Sequence, residues 1–179
     1  MKRFWLCVAV LVAGLSMTGC ASPPDLRYFT LGPDERVVEE VREPLYVSRV
    51  QVPEYLDDNR IWVRVDTHRV ETLSHVRWAE RLPRAITRRL QQQLGTGVDE
   101  APGRPRLMVD IQRFEAVWDE GEPGARVQLE AAWRIGDGQT QTASLTATAA
   151  NRDASTLVAV MSSQVGALAK TIAEQILQE

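Results

Sequence analysis

Apolar and polar positions follow three different spacings along the chain. From Phe4 to Met17 nearly every position is apolar, with Gly14 and Ser16 as the interruptions. Further on, apolar residues recur either at every second position, the spacing of a half-buried strand, or at every third and fourth, the spacing of a helix. Leu26 to Leu31 has strand composition and ends at the Gly32-Pro33 turn signal, and the charged stretch from Asp34 to Glu43 reads as a loop. Leu45 to Val52 alternates with a slip of phase at Ser48-Arg49, which predicts a bulged strand ending at Pro53. Ile61, Val63 and Val65 predict another strand, and Asp66-Thr67-His68 a turn into a short one from Arg69 to Leu73. Leu82, Ile86, Leu90 and Leu94 then fall four apart, with Pro83 in the first turn and Gly95 placed to end the helix.

The second half is more regular. Leu107, Val109 and Ile111 alternate in one phase and Phe114, Ala116 and Trp118 in the other, so one extra residue near Gln112-Arg113 makes a single bulged strand. Val127 to Ile135 is an unbroken period-two stripe. Gly136-Asp137-Gly138 turns the chain, and Gln139 to Ala149 returns with alanines and Leu145 on one face and threonines on the other. Leu157, Met161, Val165, Leu168, Ile172 and Ile176 predict a long amphipathic helix, with Asp153 as its N-cap. The order implies an α+β two-layer sandwich: a mostly antiparallel sheet covered by two amphipathic helices, in one domain spanning 26–179.

The amino terminus asks for a separate reading. Met1-Lys2-Arg3 is cationic, and the 4–17 run is shorter than the roughly 20 residues that span a bilayer. Leu15-Ser16-Met17-Thr18-Gly19-Cys20 resembles the lipobox of bacterial lipoproteins. That resemblance implies a signal peptide at 1–19, cleavage between Gly19 and Cys20, and acylation of Cys20. Cys7 leaves with the signal, so Cys20 has no partner for a disulfide, and lipidation accounts for a lone exported cysteine. An ordinary signal with an incidental cysteine is the simpler alternative. Residues 20–25 form a short proline-stiffened spacer, and Ala21 after the cysteine points to the outer membrane of a two-membrane cell.

Composition narrows the function. Without the signal, 19 basic residues face 24 acidic ones, a net of −5, which is not the footprint of a nucleic-acid binder. Of Trp62, Trp78, Trp118 and Trp133, most belong in a core. No catalytic constellation stands out. His68 and His75 lack ligand spacing and read as solvated, so no metal is assigned. Asp57-Asp58 reads as a polar turn before it reads as an acid–base pair. No cofactor is implied.

Four segments occur in a distinctive order: Arg27-Tyr28-Phe29-Thr30-Leu31; Val50-Gln51-Val52-Pro53-Glu54-Tyr55-Leu56; Ile61-Trp62-Val63-Arg64; and Trp78-Ala79-Glu80-Arg81-Leu82. Together, after a lipobox, they resemble the ABC-type transport auxiliary lipoprotein family. The resemblance implies a non-enzymatic lipoprotein on the periplasmic face of the outer membrane. It implies as partners an MCE-domain protein and an ABC permease that move lipid across the envelope. Pro53, Tyr55 and Leu56 are the candidate contact residues, since an exposed Tyr-Leu pair is a common anchor. The competing reading is a strand-ending turn with Tyr55 packed inward. A stand-alone lipid- or ligand-binding lipoprotein is the alternative function, and an unrecognised envelope hydrolase a third. The edge strands of an open sheet also invite homo-oligomers.

Overall fold

The computed structural model describes residues 25–32, 45–95 and 103–177. Residues 1–24, which hold the expected signal, lipidation site and most of the expected spacer, lie outside that range, as do 33–44 and 96–102, expected from sequence to be loops, and 178–179. The elements are β1 (Arg27–Phe29), β2 (Tyr46–Val47), a single 3₁₀ turn (Glu54–Leu56), β3 (Arg60–Arg64), β4 (Val70–Trp78), α1 (Leu82–Gln93), β5 (Arg106–Val117), β6 (Ala125–Ile135), β7 (Gln141–Ala149) and α2 (Ala154–Ile176). They form the α+β sandwich read from the sequence: one seven-stranded sheet with both helices packed on one face.

The strand order is β1-β4-β3-β5-β6-β7, with β2 beside the first half of β5. The long ladders β3–β4, β5–β6 and β6–β7 are antiparallel, while β1–β4, β2–β5 and β3–β5 are short parallel pairings. The sheet is therefore mixed. One edge of β5 is lined by a single interrupted stretch of chain. Ser48 N donates to Leu107 O and Gln51 N to Val109 O, so three steps on one chain meet two on the other. That extra residue is the phase slip at Ser48-Arg49, and it confines regular β2 to two residues. The chain then leaves the sheet at Pro53 and returns as β3, where Val63 pairs with Ala116.

Two further irregularities re-aim side chains. In β5, Ile111 opposes Ala131 and Arg113 opposes Glu130, so Gln112 is the extra residue and Phe114 and Ala116 stay on the core face. In β4 the register shifts between its pairings with Arg60 and Trp62, and His75 takes a left-handed backbone with φ 57°. Histidine tolerates that region better than bulky β-branched residues do. The bulge hides the alternation, which is why the sequence pattern stops at Leu73 while the strand runs on to Trp78.

The core lies between sheet and helices. Leu107, Val109, Ile111, Phe114, Val127, Leu129, Ala131 and Trp133 from β5 and β6 meet Leu82, Ile86 and Leu90 of α1 and Leu157, Met161, Val165, Leu168 and Ile172 of α2. Trp78 and Trp133 are buried there, and Trp133 Nε1 donates to Gln175 Oε1 at 2.7 Å. Trp62 and Trp118 depart from the expectation of a core position: both are half-buried at its margin, capped by arginines. Helix α1 has Pro83 in its first turn and Gly95 at φ 64° just past its end, as the spacing predicts. Asp153 does occupy the N-cap of α2, but its side chain makes no capping bond. Asn151 Oδ1 instead accepts from Asp153 N at 3.0 Å.

One turn fixes how β6 starts. Arg126 forks onto Asp119 with bonds of 2.6 and 2.7 Å, holding that carboxyl below its usual range, while Arg152 donates to the carbonyls of Asp119, Glu122 and Gly124 and lies over Trp118. A Cβ on Gly124 would overlap the carbonyl oxygen of Ala149. Backbone cannot yield as a flexible side-chain tip can. Gly124→Ala should therefore destabilise the fold by about 1–3 kcal/mol, the usual range for overpacking, as read by equilibrium urea unfolding.

Candidate functional site

Alternation puts Glu115 on the sheet face opposite Phe114 and Ala116, where a carboxylate would normally meet water. It has no exposed surface. The chain between Pro53 and Asn59 folds over it, and the side chains that cover it also bond to it. Arg64 Nε donates to Glu115 Oε1 at 2.5 Å and Arg64 Nη2 to Oε2 at 3.2 Å, the two-pronged geometry that suits a guanidinium to a carboxylate. Tyr55 Oη donates to Oε2 at 3.3 Å. Arg113 approaches Oε1 at 3.5 Å and reaches Gln128 at 3.2 Å and Glu130 at 3.1 Å on β6. The cluster thus ties the 3₁₀ turn, β3, β5 and β6 together on the outer face.

The cluster shifts the proton equilibria of its members. Burial, and then the neighbouring Glu115 carboxylate, push the Tyr55 hydroxyl up from 10.0 to about 12. The hydrogen bonds from Arg64 to Glu115 raise the guanidinium above its ordinary value.

The rest of the excursion is anchored by polar bonds. Leu56 N donates to Pro53 O at 2.9 Å and Asp57 N to Glu54 O at 3.1 Å, forming the turn. Asp57 meets Arg49 and Arg81 at 3.4 Å each. Asp58 receives the backbone N–H of Arg60 at 2.7 Å and also the Arg60 guanidinium, which in turn sits 4.7 Å over the Trp62 ring. Asp57-Asp58 is a polar turn, and arginines occupy both carboxylates. Tyr55 meets Trp62 edge-on, with ring centroids 5.7 Å apart. Helix α1 braces the excursion from behind: Val50 N donates to Thr87 Oγ1 at 2.9 Å, and Leu82 N to Asp58 O at 3.1 Å.

The three contact residues named from sequence therefore separate. Pro53 begins the excursion and is half-buried. Tyr55 is half-buried, with its hydroxyl spent on Glu115. Leu56, 1% exposed, is a core residue, so the expected exposed Tyr-Leu pair does not form. A 3₁₀ turn points successive side chains in different directions, and Glu54 is the one left facing water. Arg64 closes one of the four segments that carry the resemblance but was not singled out there, and Glu115 and Arg113 gave no signal in the sequence. A charged residue at an outward strand position is ordinary, and only the excursion over it makes it buried.

Beside the excursion runs an open groove of about 900 Å³, with Val52 and Asp57 on its wall and Arg49, Arg106, Met108, Asp110 and Arg134 among its lining. Among the described residues, no three His, Cys, Asp or Glu side chains come together as a metal would need. His68 closes the Asp66 turn, its N–H donating to Asp66 Oδ1 at 2.8 Å, and His75 sits exposed in the β4 bulge. The arrangement can present a rigid, arginine-rich outer surface, and its one buried carboxylate is held by cations.

Against this geometry the comparisons are consistent. Residues 29–173 match the family described as the ABC-type transport auxiliary lipoprotein component, and the chain belongs to that family. Among solved structures it resembles an uncharacterized protein with a TM-score of 0.65 and 17% identity, covering 86% of this chain and 99% of that one. It also resembles protein XCC0632 from Xanthomonas campestris, with a TM-score of 0.60 and 16% identity, covering 84% and 90% of the two chains. At those identities the likeness concerns the fold. No curated protein matches the chain significantly.

Removing one partner of a buried ion pair strands the other charge. Glu115→Gln should destabilise by about 3 kcal/mol, the low end for breaking a buried pair, because Arg64 keeps some contact with water. Tyr55→Phe should lose about 1.5 kcal/mol, as for a hydrogen bond to a charged group. The pH dependence has a definite sign. The folded chain keeps the Tyr55 proton up to about 12, whereas the unfolded chain loses it near 10.0. The stabilisation is thus complete below pH 10 and disappears as pH rises through 12. Between those limits, the gap in unfolding free energy between wild type and Tyr55→Phe should shrink by about 1 kcal/mol, after discounting the half-exposed ring for solvent screening.

Proposed function

We propose that this chain is a non-enzymatic lipoprotein, anchored through Cys20 on the periplasmic face of the outer membrane, that docks an MCE-domain protein of an ABC-type lipid-transport system. The family match across residues 29–173 is the observation that carries the reading. The lipobox ending at Cys20 supports the anchor, since two or more acyl chains hold a protein stably at a bilayer. The outer face supports the docking part. Its groove is lined by Arg49, Arg106 and Arg134, with Asp57 at the end of the excursion on its wall and ion-paired to Arg49 and Arg81, so that rim is held in place for a partner. Between the layers, leucine, isoleucine and aromatic side chains fill the interior. An acyl chain would have to displace them, which favours docking over lipid carriage within the domain.

Full-length protein purified in mild detergent should bring down an MCE-domain protein and carry the mass of two or three acyl groups. Cys20→Ser should leave the membrane fraction, keep wild-type circular dichroism and lose the transport phenotype. A Cys20→Ser protein with full activity, or repeated purification without any MCE-domain protein, would count decisively against the proposal.

A further inference from the structure

Strand β7 is nine residues long and, among the described residues, pairs on one side only. A free strand edge offers unpaired N–H and C=O groups to any extended chain, and soluble proteins commonly block such edges with lysine, proline, a bulge or a short strand. The opposite edge, β1, is three residues long. β7 carries no such device: Gln141–Ala149 has no charge and no proline, and its register with β6 is unbroken.

The edge is also nearly the same read in either direction. Antiparallel pairing of two copies centred on Leu145 sets Ser144 against Thr146, Ala143 against Ala147, Thr142 against Thr148, and Leu145 against itself. Hydroxyl then meets hydroxyl on the outer face, and apolar meets apolar on the helix face. Both are favourable cross-strand pairs. The helix-face residues have burial still to gain, since Ala143, Leu145 and Ala147 are part-exposed while their β6 partners Ala131, Leu129 and Val127 are buried. Helix α2, packed against β7, raises no charged barrier: from Ala154 to Ala169 it has no ionised side chain, and it exposes Ala159, Ser163 and Ala167.

We infer that β7 is the docking edge for a second copy of this chain, joining two sheets through a two-fold axis at Leu145. A foreign strand would need a free edge but would have no use for a self-complementary one. A closed two-fold contact between identical surfaces requires that symmetry. The inference stands apart from the transport role and from the anchor.

Sedimentation of the full-length protein in density-matched detergent tests it. Wild type should contain two chains. The double substitution Ser144→Lys and Thr146→Lys, both at exposed positions, places lysine opposite lysine twice across the axis. It should raise the dimer dissociation constant at least about tenfold with unchanged circular dichroism, because like charges directly opposite repel. Amide exchange of the unmodified protein is an independent check, since the β7 amides that point away from β6 should slow as concentration rises. A monomeric wild type, an assembly of any size that the lysine pair leaves intact, or β7 exchange that ignores concentration would each overturn the inference.

Discussion

Glu115 places an ionised carboxylate beneath covered protein, where an unpaired charge would destabilise the fold by several kcal/mol. Two of its partners come from far away in sequence, Tyr55 from the 3₁₀ turn and Arg64 from β3, and the third, Arg113, lies two residues away on β5 itself. The contacts from Tyr55 and Arg64 span 60 and 51 residues, so the carboxylate is fully satisfied only when the Pro53–Asn59 excursion and β3 are in place over the sheet. That requirement turns a seven-residue detour, which would otherwise be a surface loop, into a fixed feature of the outer face. The edge-on contact of Tyr55 with Trp62 and the seating of Arg60 over Trp62 belong to the same fixed arrangement.

The same constraint explains why β5 is the spine of the sheet. One of its edges pairs with three separate pieces of the 46–64 stretch, first β2, then the isolated pairing of Gln51 with Asp110, then the end of β3. Its other edge carries β6 along its full length. The bulge at Gln112 shifts the phase halfway, so Phe114 stays in the core while Arg113 and Glu115 face outward. Helix α1 closes the circuit from the core side through Thr87 and Leu82. A domain built in this way offers two distinct surfaces: a braced arginine-rich groove on the outer face, and an uncharged strand edge at β7.

Much of this fold was legible from spacing. The β6 stripe, the β5 bulge, both helices and the Gly136 turn follow from period and turn chemistry, which are local. The second half of β4 was not legible, because His75 breaks the alternation with a left-handed residue. The parallel pairings of β1 and β2 were not either, since strands of three and two residues carry too little pattern to name a neighbour. At the site, the Pro53-Glu54-Tyr55-Leu56 segment was found by motif, but its side-chain directions were not. Whether Leu56 points in or out depends on the 3₁₀ turn, and whether Glu115 is buried depends on a segment about 60 residues away. Tertiary covering is invisible to a one-dimensional pattern.

The docking role is tested most directly by photo-crosslinking in cells from the exposed end of the braced turn. A photoreactive residue in place of Glu54 should capture an MCE-domain protein, while one in place of Ala159 on α2 should not. Capture from Ala159 with none from Glu54, or the same neighbours from both positions, would contradict a docking surface on the outer face.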